Sequence, residues 1–240
     1  VAVTVGFLYP GYSAEDDYPT LERILGAEVA LPLVHTEMRE DAHRVDALLD
    51  IGSAEVLAAG AERLRQQNVS AVVWACTSGS FVFGVEGATR QVRQLAEVAG
   101  VPASSTSFAF VRALRALGVR RVAVAATYPG DVAERFVDFL ADDGVEVSSL
   151  ASRGIVTAAE VGTLSSADVL EFVAAHDHPD AEAVLVPDTA LHTALLLDEL
   201  TARVGKPVLT ANQVSVWEGL RLVDAVAPQG LGVLSGRRTE

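Results

Sequence analysis

The feature that most constrains this chain is a rhythm of short apolar runs, each stopping at small or polar residues that open an amphipathic stretch. Val72-Val73-Trp74-Ala75 stops at Cys76, and Thr77-Ser78-Gly79-Ser80 follows. Ala183-Val184-Leu185-Val186 stops at Pro187-Asp188, and Thr189-Ala190 follows. Such runs have the length of strands buried on both faces. Strands of that kind alternating with helices call for parallel sheets covered by helices on either side. Further strands are expected at Val1–Leu8, Glu28–Leu33, Val122–Ala126, Glu146–Leu150 and Val208–Thr210. Helical spacing marks Ser53–Gln67, Gly87–Ala99, Ser107–Leu117, Asp131–Asp142, Ser166–His176, Thr189–Val204 and Val214–Val223. Gly118 and Gly205 stand where helix C-caps are expected.

The landmarks recur. Tyr9-Pro10-Gly11 matches Tyr128-Pro129-Gly130, Cys76-Thr77-Ser78 matches Asp188-Thr189-Ala190, and Pro102 matches Pro207. These pairs lie 119, 112 and 105 positions apart, always in the same order. Two related α/β halves explain that order. The expected division is residues 1–106 with 212–240 in one half and 107–211 in the other, the last helix returning to the first half. Ligands of open α/β sheets bind beyond the carboxyl ends of the strands. That rule gathers Cys76, Thr77, Ser78, Tyr128, Asp188, Thr189, Ala190, Pro10 and Gly11 at one edge.

Composition narrows the partners. The chain has 240 residues, enough for one large or two small domains, and half of them are hydrophobic. No apolar run approaches the roughly eighteen residues a membrane helix needs. No basic segment precedes the first strand, so no secretory leader is expected. One cysteine excludes an intrachain disulfide and cysteine-based zinc sites, and fits a reducing, cytoplasmic setting. A net charge of −14 argues against nucleic acid and anionic membranes as partners. An anionic substrate would therefore be held by local hydroxyls and N–H groups. His176-Asp177-His178-Pro179-Asp180 reads as a solvated connection rather than a metal site, and Glu15-Asp16-Asp17 and Asp142-Asp143 as solvated charge. Apolar helix faces suggest a homo-oligomer.

Cys76 at a strand end beside the start of a helix is placed for chemistry, since N–H groups there lower a thiol's pKa. Asp188 reads either as the N-cap of a helix over Thr189–Val204 or as an acid. His192 would lie on its face of that helix.

The stretch Leu114-Arg115-Ala116-Leu117-Gly118-Val119-Arg120-Arg121-Val122-Ala123, with Ala126-Thr127-Tyr128 and Asp131-Val132-Ala133-Glu134-Arg135, resembles the bacterial arylmalonate decarboxylases. These belong with the maleate cis-trans isomerases to the aspartate/glutamate racemase superfamily. The resemblance implies two Rossmann-like (flavodoxin-like) halves about a pseudo-twofold cleft, with no cofactor and no metal. It places a carboxylate among Thr77, Ser78, Tyr128 and the N–H groups around Asp188, Thr189 and Ala190. Gly154-Ile155-Val156-Thr157 resembles a segment that lines an apolar pocket. Two positions depart from the decarboxylase pattern: Cys76 stands where a glycine is usual, and Asp188 stands where the proton-donating cysteine is usual. In the isomerases both positions are cysteine and the first turn carries an asparagine, for which Ser13 is the nearest substitute. The leading expectation is decarboxylation of a substituted (aryl)malonate, its enediolate protonated by Cys76. The alternatives are maleate cis-trans isomerisation with Cys76 as nucleophile, amino-acid or hydantoin racemisation by Cys76 and Asp188, and a carboxylate-binding protein without turnover.

Overall fold

The computed structural model describes residues 3–237. In chain order the first elements are β1 (Val3–Pro10), α1 (Asp17–Leu25), β2 (Val29–Ala30), β3 (Leu33–Thr36), α2 (Val45–Ile51), α3 (Ala54–Arg65), β4 (Ala71–Trp74), α4 (Ser78–Phe81), α5 (Gly84–Ala99), β5 (Ala103–Ser105) and α6 (Thr106–Leu117). There follow β6 (Arg121–Ala126), α7 (Gly130–Ala141), β7 (Glu146–Ser152), α8 (Ala158–Val161), α9 (Ser166–Ala175), β8 (Ala183–Val186), α10 (Leu197–Val204), β9 (Val208–Thr210) and α11 (Ala211–Leu222). Of the strand expected at Val1–Leu8, Val1 and Ala2 lie outside the described residues.

Two parallel sheets result. The first has the order β2-β1-β4-β5 with β3 also on β1, and the second has the order β7-β6-β8-β9. β2 and β3 lie on one edge of β1 in a single register, Val29 opposite Val3 and Leu33 opposite Phe7. Pro32 interrupts the strand between them, and the strand runs on to Thr36, past the expected end at Leu33. With β2 and β3 counted as one, β1, β4 and β5 correspond to β6, β8 and β9, so the two halves share one strand order. Both sheets are fully buried at their centres, where Val72, Val73 and Trp74 match Val184, Leu185 and Val186.

The pseudo-equivalent helices after β5 and β9, α6 and α11, pack on each other, and α11 also covers β1, β4 and β5 of the first sheet. Thr106 Oγ1 and Ser215 Oγ meet at 2.6 Å across that contact. Gly118 and Gly205 close their helices in the left-handed conformation, as expected of C′ positions. Ser165 and Asp168 form the capping box that opens α9.

One helix is shorter than its sequence pattern. The segment expected to be helical over Thr189–Val204 is irregular to Leu196, and α10 begins only at Leu197. Side chains take the amides a helix would use. Asp188 Oδ1 accepts from the Ala190 N–H at 2.9 Å, and Asp17 Oδ2 accepts from the Thr193 and Ala194 N–H groups at 2.9 and 3.1 Å. Asp188 is therefore no helix cap, and His192 shares no helix face with it. His192 Nε2 instead meets Asp16 Oδ1 at 2.8 Å.

Candidate active site

The strand ends bring the matched segments of the two halves to one cleft. Its walls include Tyr9, Pro10, Ser13, Cys76, Ser78, Asp188, Thr189 and Ala190, closed over by Met38, Glu40, Asp41, Ala42 and His43. Of the residues singled out in the sequence, Thr77, Tyr128 and Gly11 stand behind these walls rather than in them. Gly11 has a φ of 65°, and the Met38 side chain occupies the place where a Cβ would project.

Cys76 ends the β4 run and is 4% exposed. The Gly79 N–H donates to its Sγ at 3.3 Å, and Ser78 Oγ lies 3.8 Å away. These contacts lower the thiol's pKa, in the direction expected from the sequence, but burial outweighs them and pushes it up to about 11. The charge of Asp188 adds to the rise. Cys76 is therefore held as the thiol at neutral pH.

Thr77 and Ser78 begin the single turn α4. Ser80 and Phe81 spend their N–H groups on the Thr77 carbonyl at 3.1 and 3.0 Å. The Thr77 amide has no backbone acceptor among the described residues, as the start of a helix dictates, and the Ser78 amide faces the Cys76 sulfur. Thr77 Oγ1 is buried without a hydrogen-bond partner. A buried hydroxyl left unpaired is costly in a native protein and marks a place for a ligand oxygen. The Tyr128 hydroxyl lies beside the hydroxyls of Thr77 and Ser78, which bias its ionisation, and it donates to the Pro187 carbonyl at 2.8 Å. Burial holds its pKa well above the ordinary phenol range.

The opposite edge is already saturated. Asp188 is 4% exposed; Oδ2 accepts from Thr127 Oγ1 and Oδ1 from the Ala190 N–H. The Thr189 carbonyl accepts from the Tyr9 hydroxyl at 2.9 Å and from Asn212 Nδ2 at 3.2 Å. Tyr9 also lies 2.7 Å from Ser13 Oγ and accepts from the Ala14 N–H. Asp17, read from the sequence as solvated charge, is instead buried at 5% exposure and ties this segment to α1. Its Oδ2 gathers Thr193, Ala194 and Asn212. Burial raises its pKa, and its donors pull against that rise.

The segment over the cleft crosses from one half to the other. His43 donates its backbone N–H to the Val156 carbonyl at 2.6 Å. The Asp41 carboxylate accepts from the Ala158 and Ala159 N–H groups at 2.8 and 2.9 Å, at the start of α8. Within Gly154–Thr157, Ile155 is buried and Val156 exposed, and the neighbouring residue in the cleft wall is Ala158. Nothing in the sequence pattern marks this strap, because residues 37–44 have neither strand nor helix period. The space beneath it is about 30 Å³, room for a few waters.

Outside the cleft, Asp177 pairs with Lys206 Nζ at 2.8 Å, and Asp143 pairs with Arg115 rather than standing free. Among the described residues no helix is long and apolar enough to cross a membrane.

Comparison with known proteins bears on the same features. The structure of a cysteine-to-alanine variant of the maleate isomerase of Pseudomonas putida with maleate superposes with a TM-score of 0.90, covering all of both chains at 23% identity. That likeness establishes the fold. A glycine-to-cysteine, cysteine-to-serine double mutant of arylmalonate decarboxylase, in its liganded form, superposes with a TM-score of 0.83 at 27% identity, covering 98% of this chain and 99% of that one. In sequence, the arylmalonate decarboxylase of Bordetella bronchiseptica is 35% identical over 181 residues, 72% of this chain and 74% of its own. The maleate isomerase of Alcaligenes faecalis is 27% identical over 139 residues, 57% of this chain and 55% of its own. The family model described as arylmalonate decarboxylase matches residues 46–234. By fold and by sequence, the chain is an enzyme belonging to the arylmalonate decarboxylase family, in the branch of the aspartate/glutamate racemase superfamily that also holds the maleate isomerases.

Proposed function

We propose that this enzyme decarboxylates a substituted malonate and that Cys76 protonates the resulting enediolate. The observation that supports this reading is the placement of one thiol: Cys76 lies buried in the cleft wall, and the matched position on the other edge is Asp188, whose two oxygens are already engaged. Isomerisation of maleate would require the same sulfur as a resting thiolate, which its burial disfavours.

One carboxylate of the substrate reaches past Ser78 to the Thr77 amide and its unpaired hydroxyl, which stand behind the cleft wall; Tyr128, its hydrogen given to the Pro187 carbonyl, backs this cluster. The bond from the α-carbon to the other carboxyl group breaks, that group leaves as carbon dioxide, and its electron pair passes into the retained carboxylate. The enediolate's second negative charge is met by donors already oriented before the reaction, each contributing on the order of 3–4 kcal/mol. The Cys76 S–H then delivers its proton to the α-carbon, and solvent returns a proton to the thiolate once the product departs. One thiol suffices, so a cysteine at the Asp188 position is not needed. Cys76 acts from the first half, and the usual decarboxylase cysteine belongs to the second, so the proton arrives on the opposite face and product handedness inverts. A double mutant of arylmalonate decarboxylase likewise gains a cysteine for a glycine and loses a cysteine to serine.

The test is proton NMR in D₂O with phenylmalonate and maleate supplied together. Loss of phenylmalonate with deuterium at the new α-carbon is the expected result. Formation of fumarate without loss of carbon dioxide would make Cys76 a nucleophile and the enzyme an isomerase. Binding of either acid without turnover would leave a carboxylate-binding protein.

A further inference from the structure

Each sheet ends in the same arrangement around its strand-end residue. In the second half, Asn212 near the start of α11 donates from Nδ2 to the Thr189 carbonyl at 3.2 Å, and the N–H of that same peptide group, on Ala190, donates to Asp188. In the first half, Ser107 near the start of α6 donates from Oγ to the Thr77 carbonyl at 2.9 Å, and the N–H of that peptide group, on Ser78, faces the Cys76 sulfur. Asn212 stands 105 positions after Ser107, the offset that separates Pro207 from Pro102. The Thr77 carbonyl also accepts from the Ser80 and Phe81 N–H groups, so three donors converge on it. Ser107 is fully buried, and Thr77 is the one hydrogen-bond partner of its hydroxyl among the described residues. The turn does not need this bond as an anchor. Gln91 Nε2 already donates to the Gly79 and Gly52 carbonyls at 3.0 and 2.7 Å, and Ser80 Oγ meets Ser105 Oγ at 2.8 Å.

We propose that Ser107 is a positioning residue for Cys76, acting through the peptide group that joins Thr77 to Ser78. Donors that converge on a carbonyl polarise its peptide, and hydrogen bonds in such a chain strengthen one another. The Ser78 N–H is then a better donor when the S–H proton passes to the α-carbon and the sulfur becomes anionic. The Ser78 and Gly79 N–H groups meet the charge left on sulfur. The Thr77 amide and hydroxyl, which hold the substrate carboxylate, belong to neither end of that peptide group. Ser107 therefore acts on the transfer and not on binding. This rests on the reading above only in taking Cys76 as the reacting group. The other titratable groups around the sulfur are Asp188 from the second sheet, Tyr9 at the end of β1, Tyr18 on α1, Tyr128 beyond β6, and Glu40, Asp41 and His43 on the strap. None of them shares a hydrogen bond with the Ser107 hydroxyl.

The experiment compares wild type, Ser107→Ala and Ser80→Ala. Ser107→Ala leaves the Thr77 carbonyl its two amide donors, so no buried group is orphaned and the fold stands. Ser80→Ala is the control, because it deletes a buried hydroxyl of the same turn that is bonded to Ser105 instead. Cys76 is the only cysteine, so alkylation by iodoacetamide reads its thiolate. At one pH below the thiol's titration, the alkylation rate constant of Ser107→Ala falls about two- to fivefold, what the loss of a cooperating donor takes from a charge-assisted hydrogen bond. Ser80→Ala keeps the wild-type rate. With phenylmalonate, kcat of Ser107→Ala falls by the same factor, and KM stays within about twofold. An unchanged alkylation rate, an equal loss in Ser80→Ala, or a rise in KM at constant kcat would make Ser107 a structural contact of α4 and overturn the proposal. Slower alkylation with wild-type kcat would separate the thiol's ionisation from its reaction and overturn it as well. If wild type does not turn over phenylmalonate, the decarboxylase reading fails, and the alkylation comparison decides Ser107 by itself.

Discussion

The ends of β4 and β8 are the same place in two related halves, yet they have been put to opposite uses. After β4, the chain turns at once into α4, holds a thiol by weak contacts to Gly79 and Ser78, and leaves the Thr77 hydroxyl without an internal partner. After β8, Asp188, Thr189 and the residues to Ala194 hold hydrogen bonds to Thr127, Tyr9, Asn212 and Asp17. Unsatisfied polar groups carry a stability cost, so a protein tolerates them where a ligand completes them. On that criterion we propose the first edge as the working one and the second as the buttress that holds the two halves in register.

Removing the thiol should break the contrast most severely. Cys76→Ser is expected to lower turnover by about 10²- to 10⁴-fold, the range of a lost proton donor, with substrate affinity little changed. The double variant Cys76→Gly with Asp188→Cys moves the thiol to the other edge. It should return part of the activity with opposite product handedness, read by chiral chromatography of the acid formed from methylphenylmalonate. Unchanged handedness would mean that the two edges do not face the α-carbon from opposite sides.

The matched threonines give the next largest effect. Thr77→Val deletes an unpaired hydroxyl in the carboxylate cluster and should cost about 10²-fold in kcat/KM. At Thr189 it is the backbone carbonyl that is engaged, so Thr189→Val should remain within about threefold. Equal losses at the two positions would remove the functional distinction between the edges.

Much of this division was legible in the chain. The strand ends, the matched landmarks and Cys76-Thr77-Ser78 announce themselves because a buried parallel strand must be apolar and its carboxyl end must turn. β5 is legible only in hindsight, because Ala103-Ser104-Ser105 is small and polar and is a strand by virtue of its neighbours. Apolar residues at Leu191, Leu195, Leu196 and Leu197 imitate a helix start. No local pattern shows that Asp17, 176 residues away from Thr193, will take the amides that helix would need. Asp17 itself hides in an acidic triplet whose other members are half-buried, as Glu15, or exposed, as Asp16. His43 follows an aperiodic stretch, and the partner its ring meets, the Ile155 carbonyl, comes from the other half.

Asp17 offers a test of the buttress. Asp17→Ala strands the Thr193 and Ala194 amides and takes one acceptor from the Asn212 side chain, and should cost about 3 kcal/mol in denaturant unfolding. Asp17→Asn keeps an acceptor oxygen and removes a charge that burial disfavours, so its stability should fall far less. If both variants lose the same amount, the carboxylate's charge rather than its acceptor geometry holds the segment.

The smallest expected effect concerns the cost of storing a proton on Cys76. The folded-state pKa of the thiol, about 11, exceeds the ordinary value of 9.0 that the unfolded chain would have. Between those values the native state keeps a proton that the unfolded state releases, so this group's contribution to stability falls as pH rises from 9 toward 11. The full loss is on the order of 2–3 kcal/mol, and it is absent below pH 9. Cys76→Ser lacks the titration, so the stability difference between wild type and variant should shift against wild type across that window, measured by urea unfolding at matched pH. A constant difference would mean that the thiol titrates near its ordinary value. The working edge would then hold a nucleophile as readily as a proton donor, and the distinction between decarboxylase and isomerase would have to be sought elsewhere in the cleft.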